Sequence, residues 1–222
     1  MNYTFIESEV DLIFLNRELL NKSELGIDTE FRRRSKNDLK LCLLQIRDDE
    51  EIYLIDCLKI KGTKLSCSFL SSEKVIKVFH SFKEDKEAIN SWTDQEAINI
   101  FDTQLANAFL GGSFSISYKD LVKNLLGAEI SKSETRSNWM RRPLSSSQLD
   151  YAASDVEFLL DLYFIQRTGL LENDKYNSLR EETEKVFSFG KVVISDENKT
   201  IKRPSKLEEK ILLEKFNLLI KT

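Results

Sequence analysis

The run Gly26-Ile27-Asp28-Thr29-Glu30-Phe31 sets two carboxylates two positions apart inside an otherwise apolar, strand-like segment. Side chains of a strand alternate between faces, so Asp28 and Glu30 project from one face while Ile27, Thr29 and Phe31 take the other. Two like charges side by side on a sheet are costly without a cation, which makes the segment a candidate metal site. Taken alone, two solvated acids on an exposed strand give the same pattern.

A second polar pair lies far downstream. Residues 148 to 163 place Leu149, Ala152, Ala153, Val156, Leu159, Leu160 and Tyr163 at helical spacing, with Ser145 to Ser147 available as an N-cap and Pro143 marking the upstream boundary. Tyr151 and Asp155 are then i and i+4 on one helix face. Between the two pairs, Lys77-Val78-Phe79-His80 reads as a short strand and Asp85 opens a helical segment to Trp92. An acid there sits at a strand's carboxyl end, the usual place for ligand-binding side chains in an open α/β sheet. Asp102 competes for the same role, but it precedes another helical pattern and reads equally as an N-cap. Asp85 is therefore taken as the ligand and Asp102 as its support or a cap. His80 lies on a strand and is expected to be packed near the site rather than to ligate.

In this order and at these separations, Asp28-Thr29-Glu30, Asp85 and Tyr151 with Asp155 resemble the three motifs of the four-acid 3′→5′ exonuclease superfamily, ribonuclease D in particular. Supporting text comes from Phe101-Asp102-Thr103-Gln104-Leu105-Ala106, from Ser133-Glu134-Thr135-Arg136-Ser137-Asn138-Trp139 with Arg142-Pro143-Leu144, and from the stretch around Tyr151. The similarity runs from about residue 3 to residue 185. It implies a ribonuclease-H-like fold, a mixed sheet of roughly five strands with helices on both faces. Apolar strand-like runs at 25 to 31, 40 to 47, 51 to 56, 75 to 80 and 98 to 101, and helical patterns at 10 to 20, 84 to 92, 102 to 110, 117 to 126 and 145 to 166, agree with it.

The resemblance also implies the chemistry, which is hydrolysis of phosphodiesters from the 3′ end to nucleoside 5′-monophosphates with two Mg²⁺ or Mn²⁺ ions about 3.5 to 4 Å apart. Asp28 bridges both ions in that scheme, Glu30 and Asp155 complete the nucleophile-side ion, and Asp85 serves the other mainly through water. Tyr151 orients the attacking water, and with a phenol pKa of about 10 it positions rather than abstracts. A histidine takes this place in related enzymes, so the chain falls in the tyrosine subtype. The expected partner is the 3′ end of single-stranded RNA, with trimming of transfer RNA suggested by the family. Short oligonucleotides or single-stranded DNA are the nearest alternatives, and an inactive nucleic-acid-binding module is one of another class.

Net charge is −4, which globally disfavours a polyanionic partner. Distribution matters more. Arg32, Arg33, Arg34 and Lys36 follow the Asp28 strand, and Arg136, Trp139, Arg141 and Arg142 precede the Tyr151 helix, so Arg32, Arg33, Arg136, Trp139, Arg141 and Arg142 are the candidate nucleic-acid contacts. Three widely spaced cysteines, Cys42, Cys57 and Cys67, read as buried thiols rather than a disulfide or zinc site. With 222 residues, 41% of them hydrophobic, and no run of 18 apolar residues, one cytoplasmic, monomeric core domain is expected.

Several features depart from the family pattern. Ser35 to Asp38 stand where aromatic and proline residues are usual, Asn138 replaces an aspartate before Trp139, and the loop from Ser81 to Glu84 is bulky. The family normally continues into helical RNA-binding domains, whereas about 55 residues follow position 167 here. The expected division is an exonuclease domain over 1–170 and a helical extension over 171–222, ending in an amphipathic pattern with Leu207, Ile211, Leu212, Phe216 and Leu219 on one side.

Overall fold

The computed structural model describes residues 2–35, 38–130, 134 and 137–188. The expected amphipathic segment with Leu207, Ile211, Leu212, Phe216 and Leu219, and the expected contact Arg136, lie outside the described residues. The described chain is α/β. A mixed sheet of six strands runs in the order β1 (Thr4–Ile6), β4 (Ile52–Asp56), β3 (Asp38–Arg47), β2 (Glu24–Ser35), β5 (Ile76–Phe79), β6 (Ile100–Asp102). The β2–β3 and β3–β4 pairs are antiparallel, so these three strands, joined by short links, form a meander. The remaining pairs, β1–β4, β2–β5 and β5–β6, are parallel.

Each sheet face carries its own core. On one, α1 (Glu9–Leu19) and α3 (Lys83–Trp92) bury Leu12, Leu15, Leu19, Ile89 and Trp92 against Ile27, Leu44 and Ile46. On the other, α6 (Ser146–Glu157) and α7 (Leu159–Glu172) set Ala152, Ala153, Val156 and Leu159 against Leu43, Leu54 and Val78. Gly26 permits the close seat of α7, because a Cβ there would fall 2.9 Å from Leu159 Cβ. The one-turn α2 (Lys64–Cys67), α4 (Thr103–Phe109), α5 (Tyr118–Leu126) and α8 (Tyr176–Ser188) complete the described elements. Through buried Leu179, α8 joins the same core as α6 and α7.

Local chemistry explains the boundaries that matter for the site. Ser145 and Gln148 form a reciprocal capping box that starts α6. The single helix expected over 145–166 is divided at Phe158, whose backbone N–H donates to the Tyr118 hydroxyl at 3.1 Å. A side chain from α5 thus intercepts the helical ladder immediately after the turn that carries Asp155. Cys42, Cys57 and Cys67 are buried free thiols, as expected. Among the described residues no helix is long and apolar enough to cross a membrane.

Candidate active site

Strand β2 delivers Asp28 and Glu30 to the sheet face that α6 and α7 cover. Asp28 stands opposite Gln45 of β3, and Glu30 stands opposite Leu43, a member of the core beneath α6. Helix α6 brings Asp155 over this face. Burial raises the Asp28 carboxyl well above its ordinary range, and the charge of Asp155 raises it further. Glu30 is pushed up to about 10, first by burial and then by Asp28, Asp155 and Asp85. Asp155 is raised to about 7 by burial, opposed by a hydrogen bond from Tyr151. The four acids therefore lie within one another's fields, and Tyr151 is tied to one of them.

Asp85 enters from the opposite layer, in the first turn of α3, and is buried. It accepts a 2.5 Å hydrogen bond from the hydroxyl of Thr29, the residue between the two β2 acids. Burial and Asp28 raise its carboxyl, while Thr29 partly offsets them. Thr29 thereby joins the site, although the acid pattern of the sequence does not single it out. Its signal in the sequence is a hydroxyl among the apolar residues of its strand face.

Asp102 braces this arrangement. Its carboxylate accepts from the backbone N–H groups of Gln104 and Leu105, capping α4, and from those of Ser81 and Phe82 at 3.1 and 3.0 Å. Ser81 has φ of +67°, a conformation unusual for a residue with a Cβ. Asp102 thus fixes the turn that launches α3 and Asp85, which unites the cap and support roles. His80 Nε2 lies 3.0 Å from the Ile116 carbonyl and Nδ1 lies 2.9 Å from the Thr103 hydroxyl. A carbonyl only accepts, so Nε2 carries the proton and the neutral ring accepts from Thr103. Burial lowers its pKa in agreement. His80 is packed, as expected.

Among the described residues no group of three or more His, Cys, Asp or Glu side chains is already arranged to hold a metal ion. The acids share a field without forming a closed coordination shell. Their donor chemistry nevertheless fits a hard divalent cation, since all four offer oxygen and each raised carboxyl would be relieved by positive charge.

The basic residues divide differently from expectation. Arg142 donates from Nε and Nη2 to the two oxygens of Asp56, each at 2.7 Å, from Nη2 to the Cys42 carbonyl, and from Nη1 to the carbonyls of Trp139 and Arg141. All five guanidinium donors are engaged within the chain, so Arg142 anchors its loop to β3 and β4 and has none left for a phosphate. Trp139 is 5% exposed and packs 6.1 Å from the Tyr151 ring, so it supports Tyr151 from below and cannot offer a face to a base. Arg32 pairs with Asp38 at 2.7 Å and Arg33 with Glu87 at 2.9 Å. The Arg33 pair is exposed and weak enough to exchange for a phosphate, whereas the Arg32 pair is part-buried. Arg141 is exposed.

A family model described as 3′-5′ exonuclease matches residues 3–167. The chain belongs to that family. Ribonuclease D of Haemophilus influenzae is 39% identical over 167 residues, which are 75% of this chain and 42% of that protein. Among solved structures, Escherichia coli RNase D, described as an exoribonuclease involved in structured RNA processing, is 28% identical with a TM-score of 0.81, covering 87% of this chain and 52% of that one. The catalytic core of RRP6 from Trypanosoma brucei is 26% identical with a TM-score of 0.78, covering 83% of this chain and 51% of that one. The chain spans about half the length of the curated relatives it matches.

The raised carboxyls give this exonuclease domain a pH signature. A carboxyl whose pKa is raised by folding contributes stability that is full below its unfolded value and lost as pH climbs toward the folded value. For Asp155 that window runs from 3.8 to about 7, and for Glu30 from 4.5 to about 10. Lys77, lowered by burial to about 7, acts in the opposite sense but above pH 7. His80, also lowered, opposes the four acids as a single group. In chelator, the melting temperature should therefore fall by several degrees from pH 5 to pH 7, and millimolar Mn²⁺ should flatten the fall. A flat or rising profile in chelator would show that the acids do not crowd one another.

Proposed function

We propose that this chain is a divalent-cation-dependent 3′→5′ exoribonuclease releasing nucleoside 5′-monophosphates from the 3′ ends of single-stranded RNA. Transfer-RNA precursors are proposed among its substrates, in the cytoplasm, with Mg²⁺ or Mn²⁺ as cofactor. The proposal treats residues 1–170 as the exonuclease domain and 171–222 as a helical extension. The observation that carries the reading is the convergence of Asp28, Glu30, Asp85 and Asp155, in which Asp155 lifts the Asp28 carboxyl, Asp28 lifts that of Asp85, and Asp28, Asp155 and Asp85 together lift that of Glu30. The similarity to ribonuclease D over three-quarters of the chain supports RNA as the substrate.

Asp28, Glu30, Asp85 and Asp155 would hold the ions. A divalent cation held there would lower the pKa of an attacking water and offset charge on the phosphoryl and departing 3′ oxygens. Tyr151, on the same helix face as Asp155, orients that water. Thr29 and Asp102 keep Asp85 in place, the first by its hydroxyl and the second by fixing the turn before α3. Arg32, Arg33 and Arg141 remain the candidate phosphate contacts, with Arg136 proposed from sequence alone.

The test is a time course with 5′-labelled single-stranded RNA, single-stranded DNA and dinucleotides, with Mg²⁺, Mn²⁺ or chelator. Stepwise shortening of RNA from its 3′ end with either ion, and none in chelator, is expected. Faster cleavage of DNA or dinucleotides would reassign the substrate, and no cleavage with either ion would sink the reading. Tyr151→Phe keeps the ring against Trp139 but should lose about 10²-fold in kcat, as expected of a positioning or acid/base group. Parental turnover in that variant would reduce Tyr151 to a packing role.

A further inference from the structure

Across the β2–β3 ladder, the side chain directly opposite Asp28 is Gln45. Opposed residues of an antiparallel pair share a face and lie about 4.5 to 5.5 Å apart at Cβ. Gln45 is fully buried, and neither its amide nitrogen nor its amide oxygen has a hydrogen-bond partner in the protein. Its other ladder partner, on β4, is Leu54, and Leu43 sits two residues back on the same face. Leu43 and Leu54 thus adjoin a carboxamide whose one directly opposed charged neighbour is Asp28, with Glu30 and Asp56 one same-face pair along, both opposite Leu43, and Arg47 two residues on. Burying an unpaired amide is costly, and an apolar side chain of similar size would fill the place better.

We propose that Gln45 is a positioning residue for Asp28, holding an uncommitted N–H donor beside that carboxylate and restraining its orientation when it is ionised and holds a cation. Asp28 already accepts from the Thr29 backbone N–H, and the role follows from the side-chain donors that remain. The Thr29 hydroxyl is spent on Asp85 and the Tyr151 hydroxyl on Asp155, whereas the Gln45 amide remains uncommitted on Asp28's own face. Groups that orient a ligating carboxylate in this way commonly set metal affinity about 10- to 100-fold. The inference rests on the proposed exonuclease site.

The test compares the parent chain with Gln45→Met and Gln45→Leu, which remove the donor and keep apolar bulk. In chelator both variants should melt at or above the parent temperature, because an unpaired buried amide has been removed. The MnCl₂-induced rise in melting temperature should require about tenfold more MnCl₂ in the variants, and so should half-maximal hydrolysis, with KM for RNA within about twofold of the parent's. A role in packing alone would leave the MnCl₂ dependence unmoved, and that result overturns the proposal. Variants that melt far below the parent in chelator also overturn it, since the amide would then hold the fold together. A parent that neither hydrolyses RNA nor responds to MnCl₂ fails the exonuclease reading and takes this inference with it; a responsive parent matched by its variants fails the inference alone.

Discussion

Replacing Asp28 or Asp155 with alanine should lower hydrolysis of labelled RNA by about 10³-fold or more while the protein stays folded. Stabilising charge at a transferring phosphoryl group is worth several kcal/mol to the transition state, and each 1.36 kcal/mol lost is tenfold in rate. Neither side chain contributes apolar contact to the core on its sheet face. Each instead raises the free energy of a neighbouring carboxylate, Asp155 acting on Asp28 and both on Glu30. Circular dichroism melts and kcat measured on the same preparations separate the two effects. Parental turnover in either variant would remove these acids from the site, and a collapsed fold would show that their burial serves packing.

Arg142→Ala should act in the opposite manner, on the fold and only secondarily on RNA. It leaves the fully buried Asp56 carboxylate without its guanidinium, and frees the Cys42, Trp139 and Arg141 carbonyls that Arg142 now satisfies. Removing one partner of a buried charge pair typically costs about 3 to 5 kcal/mol. For a domain of this size that is a fall in melting temperature on the order of 10 °C. Arg142→Lys should rescue little, because an ammonium cannot reproduce the bidentate fork on Asp56. A variant that melts like the parent but binds RNA weakly would restore Arg142 to the phosphate-binding role expected from sequence.

Much of the architecture was legible because period-two and helical spacing are local properties. Strand β2 and the first acid pair follow from alternation around Ile27 and Phe31, β3 and β4 from the apolar runs at 40 to 47 and 51 to 56, and Tyr151 with Asp155 from an i, i+4 interval. What escaped was settled at a distance. Three-residue β1 exists because β4 offers it a parallel edge, and the break at Phe158 is imposed by Tyr118, forty positions away. Arg142 and Trp139 look like nucleic-acid contacts beside a helix start, but Asp56, 86 positions earlier, consumes the arginine and the core beneath α6 takes the ring. Thr29 and Gln45 gain meaning only from what the fold places against them.

The most direct measurement of the central claim is a thermal melt of the parent and Asp28→Asn, each in chelator and in millimolar MnCl₂. Ions that bind the folded site and not the unfolded chain raise the melting temperature by mass action, so the parent should shift upward. Asp28→Asn should melt in chelator at or slightly above the parent, relieved of one crowded charge, and should show little further rise with MnCl₂. An unshifted parent, or a variant that shifts as far as the parent, would contradict a shared cation site built from Asp28, Glu30, Asp85 and Asp155.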